Sequence, residues 1–321
     1  MQSNSSLDCL NSLPVNSIFG PGTRPLKNLS QSKFIIYSVK QTKMIFSKIN
    51  LKEYLLDYQL VYLTLSLQQI AFNEVQALRN IDHPNVVKLL EIHEINQKII
   101  IVKEFVRGAS LLNHIISKGR LPESETAHLM IILLHALRDL HKQKILHRNL
   151  KPENIFINYT PNGTQLKIVN FSFSCTSEAS DDSSWHINTN ICGKCGTPGY
   201  MAPETLVNKK NTMASDVFSL GVILYACLTG EALFKGSNAM DIINKNCNVI
   251  YEKTPKWYSL SENGIFHLIS LSLILIAKHL IVNMIEKKPT QRPSIDLILE
   301  HPFFFGVDSK HMKTYVTASA M

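Results

Sequence analysis

The chain has 321 residues, of which 45% are hydrophobic, and a formal net charge of +8. That is enough apolar material for one two-lobed domain or two small ones, and the scattered lysines and arginines predict a solvated basic surface with no nucleic-acid partner. Six cysteines, at 9, 175, 192, 195, 227 and 247, lack the spacing of a disulfide framework, and the Ser/Asn-rich start is unlike a secretion signal; both point to free thiols in the cytoplasm.

Residues 1–27 mix Ser, Asn, Pro and Gly, and a poorly ordered tail is expected there. Strand patterns follow at Phe34–Val39 and Met44–Phe46. Gln68–Asn80 reads as an amphipathic helix that buries Ile70, Val75, Ala77 and Leu78. Val86–Leu90 and Lys98–Phe105 predict two further strands. Beyond Arg107-Gly108 the pattern turns helical, with a short helix at Leu111–Ser117 and a long one at Glu123–His141 opened by Pro122. Strands first and helices after argue for a segregated α+β fold, not an alternating parallel sheet. The apolar run Leu268–Ala277 carries Ser270 and Ser272 and stops at Lys278-His279, which is too short to span a bilayer and predicts a buried helix.

A series of motifs in register carries a resemblance to the eukaryotic protein kinases of Ser/Thr type. His83-Pro84-Asn85-Val86-Val87 is similar to the turn after the N-lobe helix, and Glu104-Phe105-Val106 to the hinge. His147-Arg148-Asn149-Leu150-Lys151-Pro152-Glu153-Asn154 is similar to the catalytic loop, and Asn170-Phe171-Ser172 stands where the family writes DFG. Cys195 to Glu204 resembles the end of the activation segment, Asp216 to Gly221 the start of a buried C-lobe helix, and Arg292-Pro293 and His301-Pro302-Phe303-Phe304 the close of the C-lobe. The wording is closest to the calcium/calmodulin-dependent group. The resemblance implies a bilobal kinase domain over 28–305, with a five-stranded N-lobe at 28–105, a helical C-lobe at 106–305 and a C-terminal tail at 306–321. It also implies that Glu204 pairs with Arg292, and that Leu78, Leu89, His147 and Phe171 stack in a column anchored by Asp216.

The same resemblance implies a damaged nucleotide site. Asn149 and Asn170 replace the aspartates that accept the substrate proton and hold Mg²⁺; asparagine keeps the shape without the charge or the basicity. A unit charge pair at about 4 Å contributes roughly 4 kcal/mol at an effective dielectric of 20, and a dication doubles that, so losing the Asn170 charge weakens the metal site by orders of magnitude. Lys151 and Asn154 remain in family form. The three glycines of the phosphate loop become Ser30, Ser32 and Ile35, and β-branched Ile suits that turn poorly. Lys48 is the best candidate for the lysine that pairs with Glu74 and the phosphates, with Lys52 the runner-up; Phe46 takes the place of the small residue roofing the adenine. Glu104 and Val106 would supply the hinge contacts. Lys103 falls at the back of the pocket, where a lysine must either reach solvent or find a partner.

Other features carry less. Cys192-Gly193-Lys194-Cys195 lacks the second ligand pair of a metal site. Ser177–Ser184 is a polar loop open to phosphorylation, but Ile191, Cys192 and Gly193 offer no hydroxyl where the family's activating phosphate sits. Surplus segments between Lys48 and Glu74 and at Gly264–Ile276 read either as interaction surfaces or as retained introns. The expectation is a pseudokinase that binds other proteins, an active kinase among them, as a scaffold or allosteric regulator, needing no cofactor. The alternative is an atypical but active Ser/Thr kinase that uses ATP and Mg²⁺.

Overall fold

The computed structural model describes residues 34–40, 44–46, 67–95, 98–161, 163–176, 195–208, 211–258, 260 and 270–307. The N-terminal sheet has β1 (Phe34–Lys40), β2 (Met44–Phe46), β3 (Leu89–Ile95) and β4 (Lys98–Glu104) in the order β2-β1-β4-β3, all antiparallel. Of the five strands expected, four lie among the described residues; Lys48, two residues past the end of β2, lies outside them. Helix α1 (Leu67–Arg79) precedes β3 and buries Ala71, Val75, Ala77 and Leu78, close to the face expected from its period.

One boundary differs from the sequence reading. Val86 and Val87 were expected in a strand, but β3 begins at Leu89. Val86 instead bridges Ile168 in parallel, the Val87 N–H donates to the Ile168 carbonyl at 3.0 Å, and the Ile168 N–H donates to Asn85 at 2.7 Å. The backbone groups of the turn are therefore satisfied by the C-lobe, which ties the two parts together.

The C-terminal part is helical. After β5 (Ala109–Ser110) come α2 (Leu111–Lys118), α3 (Glu123–Lys142), β6 (Ile145–Leu146), and the hairpin of β7 (Ile155–Thr160) and β8 (Gly163–Ile168). Then follow β9 (Cys175–Thr176), which pairs with β6, α4 (Pro203–Asn208), α5 (Met213–Thr229), α6 (Ala239–Asn248), α7 (Pro255–Tyr258), α8 (Ser270–Met284) and α9 (Ile295–Leu299). The Ser110 hydroxyl caps α2 by accepting from the Asn113 N–H at 3.2 Å. Helix α5 is buried on every side from Ser215 to Thr229, as expected of a helix that is apolar all round. Helix α8 packs on it, with Ala277, Leu280, Ile281 and Met284 buried; of the apolar run seen in the sequence, only the burial of Ile276 and Ala277 lies among the described side chains. No helix among the described residues is long and apolar enough to cross a membrane.

Candidate functional site

The loop 147–154 lies between β6 and β7, and one carboxylate shapes it. Asp216, in the first turn of α5, accepts the His147 N–H at 3.0 Å on Oδ2 and the Arg148 N–H at 2.9 Å on Oδ1, while the His141 ring approaches Oδ2 at 3.0 Å. Burial alone would raise the Asp216 carboxyl, but the His141 hydrogen bond and the neighbouring rings and amide hold it below its usual value. These bonds hold Arg148 at φ +64, a conformation that a non-glycine residue keeps only when its surroundings impose it. The His147 ring stacks edge-on against Phe171 at 4.8 Å between centroids. Its Nε2–H donates to the Val169 carbonyl at 3.1 Å and its Nδ1 accepts the Asn149 N–H at 3.3 Å, which fixes the neutral tautomer. Burial accordingly pushes the His147 pKa down.

Leu78 and Phe171 are buried in the same core cluster, and Leu89 packs on it. Of the expected column, the lower part is direct, with Phe171 against the His147 ring and His147 bonded to Asp216. Farther down, Arg292 donates from its two terminal nitrogens to the two Glu204 oxygens, each at 2.7 Å, and Ser215 adds a hydroxyl bond to Oε1 at 2.8 Å. The Arg292 guanidinium also lies 5.0 Å over the Phe218 ring.

The structure brings three of the predicted site residues together as amides. The Asn154 Nδ2–H donates to the Asn149 carbonyl at 2.8 Å, which turns Asn154 Oδ1 towards Asn170. The Asn170 Nδ2–H donates to that oxygen at 3.3 Å. Asn170 sits at φ +63, a region asparagine tolerates better than most residues, and its own Oδ1 is buried with no hydrogen-bond partner among the described residues. Asn149 Oδ1 accepts the Thr197 hydroxyl at 3.0 Å. Lys151 is buried, with Nζ 3.9 Å from a Glu153 oxygen.

Together, Asn149, Asn154 and Asn170 offer amides and no carboxylate. The Asn154 oxygen that would face the metal accepts a hydrogen bond from Asn170, whose NH₂ points where a metal-binding carboxylate oxygen would be needed. No group of three or more His, Cys, Asp or Glu able to hold a metal occurs among the described residues.

The remaining predicted positions are dispersed. Ser30, Ser32, Lys48 and Lys52 lie outside the described residues. Ile35 is inside β1, in register with Lys103 of β4, and Phe46 ends β2 opposite Tyr37. Val106 packs against the core, and Glu104 Oε1 accepts from Lys167 Nζ at 2.5 Å and from the Lys88 N–H at 2.9 Å. Glu74 finds its partners within the described residues. Its Oε1 pairs with Lys103 Nζ at 2.5 Å, and its Oε2 accepts the Ser172 hydroxyl at 3.2 Å. The sequence left Lys103 either to reach solvent or to find a partner, with no sign that the partner was Glu74. The Thr197–Asn149 and Lys167–Glu104 contacts were also missed, since each joins segments far apart in the chain.

Comparison with known proteins agrees with this geometry. The family model of the protein kinase domain matches residues 57–304. The SNF1-related protein kinase catalytic subunit alpha KIN12 of Arabidopsis thaliana is 31% identical over 244 residues, covering 76% of this chain. The chain spans 43% of the length of that relative. The likeness of wording to the calcium/calmodulin-dependent group is carried by neither comparison.

Proposed function

The chain belongs to the protein kinase family, and from that premise we propose that it is a pseudokinase, acting in the cytoplasm by binding other proteins as a scaffold or allosteric regulator, an active kinase among its partners. The observation that carries this reading is the amide triad: Asn170 donates to Asn154, and Asn154 to the backbone of Asn149, where a phosphotransferase needs charged oxygens for metal and proton. The intact framework, from the His141–Asp216 contact to the Glu204–Arg292 pair, supports a fold kept for what it presents. Cys175, Cys195 and Cys227 are buried and in no disulfide, which suits a reducing compartment.

The full chain, incubated with labelled ATP, Mg²⁺ or Mn²⁺ and generic protein substrates, should transfer no phosphate above the level of Asn154→Ala. Millimolar ATP, with or without Mg²⁺, should leave the melting temperature unchanged, whereas a ligand at 100 times its Kd adds about 2.7 kcal/mol and would move it by several degrees. Turnover abolished by Lys48→Ala or Asn154→Ala would reverse the reading in favour of an atypical Ser/Thr kinase.

A further inference from the structure

We propose that Lys103 is the positioning residue that docks α1 on the sheet, taking through Glu74 the part that the kinase resemblance implies for Lys48, so that this helix is held in place with no nucleotide bound. Lys103 lies near the end of β4, the strand between β1 and β3, in register with Ile35 on one side and Leu89 on the other. Its side chain cannot reach solvent there: the residue is 4% exposed and Glu74 is 5% exposed. A lysine and a glutamate buried to that degree are tolerable only as a pair, because each alone would carry an uncompensated charge in an apolar setting. Both Glu74 oxygens have a donor, Lys103 Nζ on Oε1 and the Ser172 hydroxyl on Oε2. A second bond fastens the same helix from the same segment, where the Ser174 hydroxyl reaches the Asn73 carbonyl at 3.2 Å.

Helix α1 is therefore held from the sheet by β4 and from below by residues 172–174, all of it protein. A phosphate group drawing Lys103 away would leave Glu74 buried with, among the described residues, the Ser172 hydroxyl beside it. The arrangement does not depend on whether phosphate is transferred, so it stands or falls separately from the pseudokinase reading.

The test is hydrogen exchange of the full chain, read at Leu67–Arg79 against Glu123–Lys142 as an internal standard. In Lys103→Met, exchange in the first segment should quicken on the order of a hundred- to a thousandfold relative to the second, the range expected when a buried charge loses its partner. Lys48→Met should leave it unchanged, and Lys103→Met combined with Glu74→Leu should return it towards the parent value. Added ATP and Mg²⁺ should not alter the parent's protection. A loosened helix in Lys48→Met with none in Lys103→Met overturns the proposal, as does a double variant no better protected than the single. Should Lys103→Met fail to fold, folding of the double variant supports the pairing, and failure of both overturns it.

Discussion

At the scale of single residues, the informative substitutions are Asn149 and Asn170, and what matters is which way their amides face. Asn154 Nδ2 is committed to the Asn149 carbonyl, so Asn154 presents an oxygen to Asn170, and Asn170 must answer with its NH₂. Changing Asn170→Asp would set a carboxylate oxygen against the Asn154 oxygen across a contact of 3.3 Å that now has a donor in it. In metal-free buffer this variant should lose about 1–3 kcal/mol of stability, the usual cost of an unsatisfied buried polar contact. Chemical denaturation in EDTA measures it, and an unchanged midpoint would show that the amide bond contributes nothing. Restoring both aspartates, Asn149→Asp with Asn170→Asp, should still give no phosphate transfer, because Ile35 stands within a strand and Lys103 is held by Glu74. Activity in that double variant would show that the two aspartates alone were limiting.

At the scale of elements, pattern predicted existence and type well and contacts poorly. Helix α1 begins at Leu67 where the sequence suggested Gln68, and α2 and α3 each extend one residue past the expected end, because a 3.6-residue period is a local property. The strand expected at Val86 starts only at Leu89, because Val86 and Val87 bond to Ile168, about 80 residues on, and no local pattern encodes that. For the same reason Lys103 could be flagged as costly without its partner being visible. The kinase-like motifs did predict the Glu204–Arg292 pair, whose partners are 88 positions apart. Arg292→Met removes both bonds and leaves Glu204 buried with its Ser215 contact, so it should cost about 3–5 kcal/mol. A second element-level prediction concerns the packing of α8 on α5. A Cβ added at Gly221 would lie 2.8 Å from Met284 Cβ and 2.9 Å from Ile285 Cγ2. Gly221→Ala must therefore push the helices apart at about 1–3 kcal/mol, despite the better helix propensity of alanine. A thermal melt no lower than that of the parent would mean that α8 can shift freely.

At the scale of the whole molecule, four histidines and Asp216 act in one direction on the acid side. Burial lowers the pKa values of His83, His135, His147 and His301 below their usual 6.5, and burial is the leading cause for each. In the unfolded chain these rings take a proton near 6.5, while the folded protein resists it. Between those pKa values the unfolded state binds more protons, so stability must fall as the pH drops below 6.5. His147 shows why in atoms: a second ring proton would have to sit on Nδ1, which already faces the Asn149 N–H. Asp216 extends the trend to lower pH. Its pKa is below the usual 3.8 in the folded state despite the opposing effect of burial, so its contribution is complete above 3.8 and is lost as the pH falls through the folded value. The melting temperature should therefore be level above about pH 7, decline from about 6.5 downward, and decline again below about 4. The two losses have different owners, and variants separate them. His301 is a surface-side contributor, partly exposed and set against His279 at 3.0 Å, so His301→Asn should soften the first decline and leave the second in place. A melting temperature that stays level from pH 7 to pH 5 would mean that these rings take protons in the folded protein as readily as in the unfolded chain, and that the Val169 and Asn149 contacts do not hold the His147 tautomer.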